Sequence, residues 1–425
     1  MRKSYSFGLG LATVLLTAAL ASCSGGEDPP PSPSGDAGTS VPDDSGTPPV
    51  DSGTPDAGVD AGVDSGTPDA GDDAGTPDAG DAGPGLPDGS VVIPTSLSEL
   101  GLFTGSPATG GLQPVEGNVP YALTTPLFSD YSLKSRTLYI PPGKTAGYRA
   151  SDLLDLPVGT LITKTFSFPA DLREPEKNVR VIETRVLVRQ PGGWEAYPYF
   201  WNAAQTEATL AIGGRLVRDI ELIDEAGVTR KFDYLVPSKN QCSMCHHVLD
   251  SAQNQVLLPI GVKARYLNRD HDYGGQPRNQ LQHLVDLGKL TGLPAANVPR
   301  APDAFNEAEA DLGLRARTYL DINCAHCHRQ NSTAGDTSRM FLDLDSTATL
   351  NLNMGVCKRP GSAGSGVGGE FDIVPGDHSV SILWYRMNTE ESGKMMPQIG
   401  RALRHDQGSQ LVADWIDSMP ARSCK

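Results

Sequence analysis

The spacing of apolar positions changes character along the 425-residue chain. From about Pro94 to Val236 it is the short period of β-strands. Leu161 to Phe168 sets Phe166 and Phe168 on one face against Thr163, Thr165 and Ser167 on the other, which predicts a half-buried strand. Val179 to Arg189 is a β-branched run, and Pro191-Gly192-Gly193 turns it into the aromatic-rich Trp194 to Trp201. Arg215 to Ile223 and Val228 to Val236 form a further pair, joined around Ala226-Gly227. The simplest reading of residues 93–236 is an all-β, sandwich- or barrel-like antiparallel domain. Its aromatic cluster, Trp194, Tyr197, Tyr199, Phe200 and Trp201, is expected in the core rather than as a binding platform.

After Val236 the spacing lengthens. Leu312, Ala316, Tyr319 and Leu320 recur at helical intervals and lead into Cys324, and Leu411, Val412, Trp415, Ile416 and Met419 make a second stripe near the carboxyl terminus. Residues 237–425 are therefore expected to be mainly α with long loops, so the chain is expected to be multidomain.

The first 92 residues belong to neither pattern. Arg2 and Lys3 precede an apolar run from Phe7 to Leu20 that closes on Leu20-Ala21-Ser22-Cys23, the charged, apolar and small-residue zones of an export signal spanning 1–22. The run is shorter than the roughly 20 residues a spanning helix needs. Its end resembles a bacterial lipobox, which implies lipidation of Cys23, and Ser24 after it implies sorting to the outer membrane. Residues 23–92 read as a disordered tether of Pro, Asp, Ala, Gly, Ser and Thr. Its near-repeats, such as Gly53-Thr-Pro-Asp-Ala-Gly58, cannot bury enough apolar surface to offset their ordering entropy. Of the 51 acidic residues 15 lie in 24–92, which has no Lys or Arg, so that stretch carries −15 of the formal −16. The acidic charge thus describes the tether, and no nucleic-acid partner is expected.

Two stretches carry chemistry: Cys242-Ser-Met-Cys245-His246 and Cys324-Ala-His-Cys327-His328. Two thiols about one helical turn apart can form thioethers with the vinyl groups of a haem, and the adjoining imidazole can bind its iron, so each is the attachment signature of c-type haem. A Cys₄ zinc site would place the two pairs about 15–20 residues apart and gives no reason for a histidine after each. A thioredoxin-like dithiol would need a βαβ context, which is lacking. The expectation is two covalently bound haem c groups, attached at Cys242, Cys245, Cys324 and Cys327, with His246 and His328 as iron ligands.

The remaining donors are less determined. No methionine lies between His246 and Cys324, so a distal ligand for the first iron must be sought elsewhere: His271 and His283 follow in sequence, His247 adjoins the proximal ligand, and Met340, Met354 and Met387 are reachable only through the fold. An open position there would admit a small ligand such as peroxide. Cys357 and Cys424 are left over, and in an oxidising compartment they are expected to pair as a disulfide.

A helix ending in such a motif and a terminal helix across it resemble a small cytochrome c domain. In many class I cytochromes a Met-Pro loop supplies the distal ligand, which implies Met396 of Lys394-Met-Met-Pro397, with Met395 in reserve, for the second iron. More broadly, the chain from about Leu97 to Met419 resembles a little-characterised family of exported bacterial di-haem c-type cytochromes. The carrying segments are Thr125-Pro-Leu-Phe-Ser-Asp-Tyr131, Pro157-Val-Gly-Thr160 with Lys164-Thr-Phe166, Glu183-Thr-Arg185, the stretch from Arg315 to His328, and Met395-Met-Pro397. The resemblance implies an amino-terminal β domain, a cytochrome c-like di-haem region and electron transfer with a redox protein partner, at a membrane reached through the lipid anchor. The alternatives are a peroxidase-type oxidoreductase with an open first haem, and a haem-bearing binding or sensing module.

Overall fold

The computed structural model of the chain describes Leu86 and residues 88–361 and 367–425. The export signal, Cys23 and nearly all of the tether lie outside those residues. The described residues belong to one compact unit, and no helix among them is long and apolar enough to cross a membrane.

The frame is a six-stranded antiparallel sheet whose strands lie side by side in chain order: β1 (Asn118–Pro120), β2 (Leu133–Tyr139), β3 (Leu161–Phe168), β4 (Arg180–Gln190), β5 (Gly193–Trp201) and β6 (Ala208–Leu210). Alternate side chains point to opposite faces, and both faces are buried. On one, Leu161, Val186, Val188, Tyr197, Tyr199 and Trp201 are covered by Val91, Leu97, Leu100 and Leu102 of the segment before the sheet. On the other, Leu138, Ile162, Leu187 and Ala196 fall in one cross-strand row. They pack with Cys242, Tyr266, Leu267 and Leu281 from the second half of the chain.

The predicted half-buried strand is thus buried on both sides. Thr163 and Thr165 meet the hydroxyls of Thr137 and Thr184 at 2.6 and 2.9 Å, and Trp201 Nε1 donates to Thr184 at 3.0 Å. Paired hydroxyls make these polar positions tolerable inside. A register shift after Phe166 separates it from Phe168. Phe168 goes instead to a cluster with Ile182 and the hairpin β7 (Arg215–Ile223) and β8 (Thr229–Val236), which buries Val217, Ile220, Leu222, Phe232 and Tyr234. That hairpin is a sheet of its own, and β1 and β6 are not paired with each other, so no barrel closes.

The second half is not the mainly α, cytochrome c-like region expected from sequence. Helix makes up only about 20% of the described residues. Among the described residues the α-helices after Val236 are α1 (Lys239–His246), α2 (Ala264–Leu267), α3 (Gln280–Asp286), α4 (Leu312–Asn323), α5 (Thr333–Ser338), α6 (Ile382–Asn388) and α7 (Asp406–Asp417), the longest being 12 residues. Between them lie the two-stranded ladders β9 (His247–Leu249) with β10 (Gln255–Leu257) and β11 (Asp270–Asp272) with β12 (Pro277–Asn279), and long irregular stretches. Two strong apolar stripes do form helices, α4 and α7. The rest is punctuated by left-handed glycines: Gly288 follows α3 and Gly355 caps a 3₁₀ turn, while Gly261, Gly274 and Gly376 turn the chain between elements.

The halves are stitched together rather than strung apart. Asp130 Oδ1 accepts the amides of Ala402 and Leu403 at 2.6 and 2.8 Å, and Phe128 N donates to Asn323 at the end of α4. Phe128 also stacks on His405 at 4.2 Å, and Arg230 of β8 bridges Asp224 and Asp406.

Candidate functional site

The first motif is delivered by the end of the hairpin. Pro237 stops β8, and Ser238 caps α1 by accepting from Gln241 N at 3.2 Å while Gln241 Oε1 accepts from Ser238 N at 2.9 Å. Residues three apart share a helix face, which puts Cys242 and Cys245 on one side of α1. Cys242 is buried beside the apolar row of the sheet, and burial pushes its thiol up. His246 ends the helix with Nδ1 at 2.7 Å from the Leu258 carbonyl. Nδ1–H therefore donates, leaving Nε2 with a free lone pair, the tautomer of a metal-ligating imidazole. Burial holds it neutral, with its pKa down to about 4.

The second motif follows α4, which Asp311 caps by accepting from Leu314 N at 2.8 Å. Cys324 is the last helical cap, and its carbonyl accepts from Cys327 N and His328 N at 3.0 and 2.8 Å, winding the motif into a tight turn. Burial pushes the Cys324 thiol up to about 12 and lowers His328 to about 4. His328 Nδ1 is buried without a hydrogen-bond partner, and so is Nδ1 of His326.

The two motifs meet. One nitrogen of His326 and the sulfurs of Cys245 and Cys327 lie within 4.8 Å of one another, and the Cys327 thiol also points at the Met244 carbonyl at 3.3 Å. The Cys327 thiol facing the Cys245 sulfur draws the Cys245 pKa well down and its own up. A half-open pocket beside them is lined by Cys245, His246, Tyr266, His326, Arg329 and the Pro259–Ile260 turn, among others.

Of the residues singled out from sequence, Cys245 and Cys327 are brought together and His246 lines the same pocket as Cys245, whereas Cys242 packs in the core against the sheet and Cys324 against the separate core of α4 and α7. His271 and His283 do not line the pocket with His246; they sandwich Tyr273, at ring separations of 4.9 and 3.7 Å. Met340, Met354 and Met387, considered for the first iron, pack instead with Cys324 of the second motif, alongside Met419. Met396 lies outside that cluster, half-buried at a cis bond to Pro397, its amide on the Arg386 carbonyl at 2.9 Å. Cys357 and Cys424 form a disulfide. The residue that sequence reading passed over is His326, the inner residue of the second motif. Its signal was a second imidazole within Cys324-Ala-His-Cys-His328.

Two kinds of group fit these donors. Each Cys-x-x-Cys-His can hold a porphyrin by its two thiols and an iron by its histidine, and His246, with Nδ1 on the Leu258 carbonyl and Nε2 free, suits ligation. The Cys245, His326 and Cys327 trio can alternatively hold one soft cation such as zinc. No protein-family model, curated protein or solved structure matches the chain.

Proposed function

We propose that the chain is a di-haem c-type cytochrome that passes single electrons to and from a redox protein partner, held at the outer membrane by a lipid on Cys23. The observation that supports this reading is that Cys245 of the first motif meets His326 and Cys327 of the second within 4.8 Å across a long stretch of chain, each motif being complete in sequence with His246 and His328. Bound haem would supply one-electron chemistry at its iron.

The chain's own residues do the rest. The Leu258 carbonyl fixes the tautomer of His246. The capping box on α1 and the turn after α4 hold each thiol pair in place before attachment. The sheet face around Leu138, Ile162 and Leu187 keeps water from the Cys242 side.

The proximity of Cys245, His326 and Cys327 favours one rival, a zinc site. In-gel haem staining of the denatured protein separates the two. Wild type should stain, and Cys242→Ala with Cys245→Ala, or Cys324→Ala with Cys327→Ala, should each remove about half of the signal. An unstained wild-type band with bound zinc would favour the rival.

A further inference from the structure

The face of the sheet that packs on the first motif carries a row of like charges. Strand register places Arg136 of β2 directly opposite Lys164 of β3, and Lys164 directly opposite Arg185 of β4. The next row towards the strand ends holds Lys134, Phe166 and Glu183, and three cations crowd the Phe166 ring: Lys134, Lys164 and Arg185 at 5.8, 4.9 and 4.3 Å from its centroid. Like charges directly opposite on paired strands repel, and burying an uncompensated cation is costly.

The available carboxylates are already committed. Glu183, fully buried, takes Arg185 through two hydrogen bonds at 2.6 and 2.8 Å and also accepts the Tyr234 hydroxyl at 2.6 Å. Asp130, whose charge reaches Lys134, accepts two backbone amides. Lys134 itself donates to the Ser132 carbonyl at 2.9 Å. That leaves Arg136 and Lys164. Arg136 is only 7% exposed, and its Nη2 is buried with no partner at all.

The row lies one step along the strands from the apolar row that packs Cys242. We propose that buried Arg136 and half-buried Lys164 and Arg185 form an anion site that takes a pair of carboxylates, and, resting on the di-haem reading, that these are the two propionates of the porphyrin attached at Cys242 and Cys245. Two unmatched cations call for two negative charges. Burial and the neighbouring arginine and lysine charges push the Lys134 ammonium down to about 7 and that of Lys164 well down, which marks the row as short of negative charge. A free dicarboxylate is the other source of the same chemistry.

Redox potentiometry of the full-length protein, with thermal unfolding across a sodium malonate series at constant ionic strength, tests this. With propionates in the site, Lys164→Gln lowers the midpoint potential of one haem, because a nearby cation favours the reduced form. The other midpoint stays put, Lys164→Arg restores the first, and malonate has no effect. With a free anion as occupant, malonate raises the wild-type Tm saturably, Lys164→Gln weakens that response roughly tenfold, and both midpoints hold. Unmoved midpoints together with a Tm indifferent to malonate would overturn the site. If the protein carries no haem, the di-haem reading fails separately and the malonate series alone decides the anion site. Should Lys164→Gln not fold, Arg136→Gln gives the same readouts.

Discussion

Asp130 shows how a single carboxylate is spent on joining the two halves. Burial raises its pKa to about 6, while the amides of Leu403 and Ala402 work the other way. A carboxyl whose folded pKa is raised binds its proton more tightly in the folded state. Its contribution is therefore favourable below the unfolded value near 4 and fades as pH climbs through 6. Asn keeps an oxygen for the two amides and tolerates the left-handed backbone at this position, where φ is 50°. Asp130→Asn should thus gain about 1–3 kcal/mol over wild type at pH 7 and nothing below about pH 4 in urea unfolding. An equal gain at both pH values would contradict the burial argument. At this scale the two Cys-x-x-Cys-His stretches were legible because each is local in sequence. The cation row of Arg136, Lys164 and Arg185 was not, since only strand register makes neighbours of residues on three strands. His326 was missed for a related reason: its importance lies in facing Cys245, far away in sequence.

Helices α4 and α7 are the elements whose contact holds the second motif. Their shared cluster contains Ala316, Tyr319, Leu320, Leu411, Val412, Trp415 and Ile416. Gly408 permits the approach: a Cβ there would stand 2.3 Å from the ring of Tyr319, which is only 4% exposed and whose hydroxyl sits 2.9 Å from His405 Nδ1. Two effects compete in Gly408→Ala. Helix propensity gains up to about 1 kcal/mol, whereas overpacking a rigid ring costs about 1–3 kcal/mol. The clash is with buried ring atoms rather than a flexible tip, so a net loss of about 1–2 kcal/mol is expected in urea unfolding. A stabilised variant would show that the two helices can part freely. The apolar stripes gave both helices away, and alternation with turn residues gave β3, β4, β5, β7 and β8 within a residue or so. Alternation misled about solvent, because Thr163 and Thr165 look surface-facing until Thr137 and Thr184 satisfy them. The mainly α expectation failed because two amphipathic helices were extended to a region whose glycines and prolines allow only short ones.

Across the whole molecule, one compact unit is closed by covalent and polar ties at its end. The Cys357–Cys424 disulfide spans 67 residues and encloses α6 and α7. Closing a loop of that length removes unfolded-state entropy, so Cys357→Ser with Cys424→Ser should cost roughly 2–4 kcal/mol. Unchanged urea stability in the double variant would show that the tail is held by packing alone. The joining of the β frame to the second half through Asp130, Phe128 and Arg230 was invisible from composition, which divided the chain where its periodicity changes.

The central claim is that iron porphyrin is covalently attached at Cys242 and Cys245 and again at Cys324 and Cys327. Intact mass of the denatured, acid-acetone-extracted protein tests it most directly. The account expects a surplus of two porphyrin irons over the polypeptide mass, falling to one when either thiol pair is replaced by alanine. A bare polypeptide mass, with zinc released on denaturation, would contradict it.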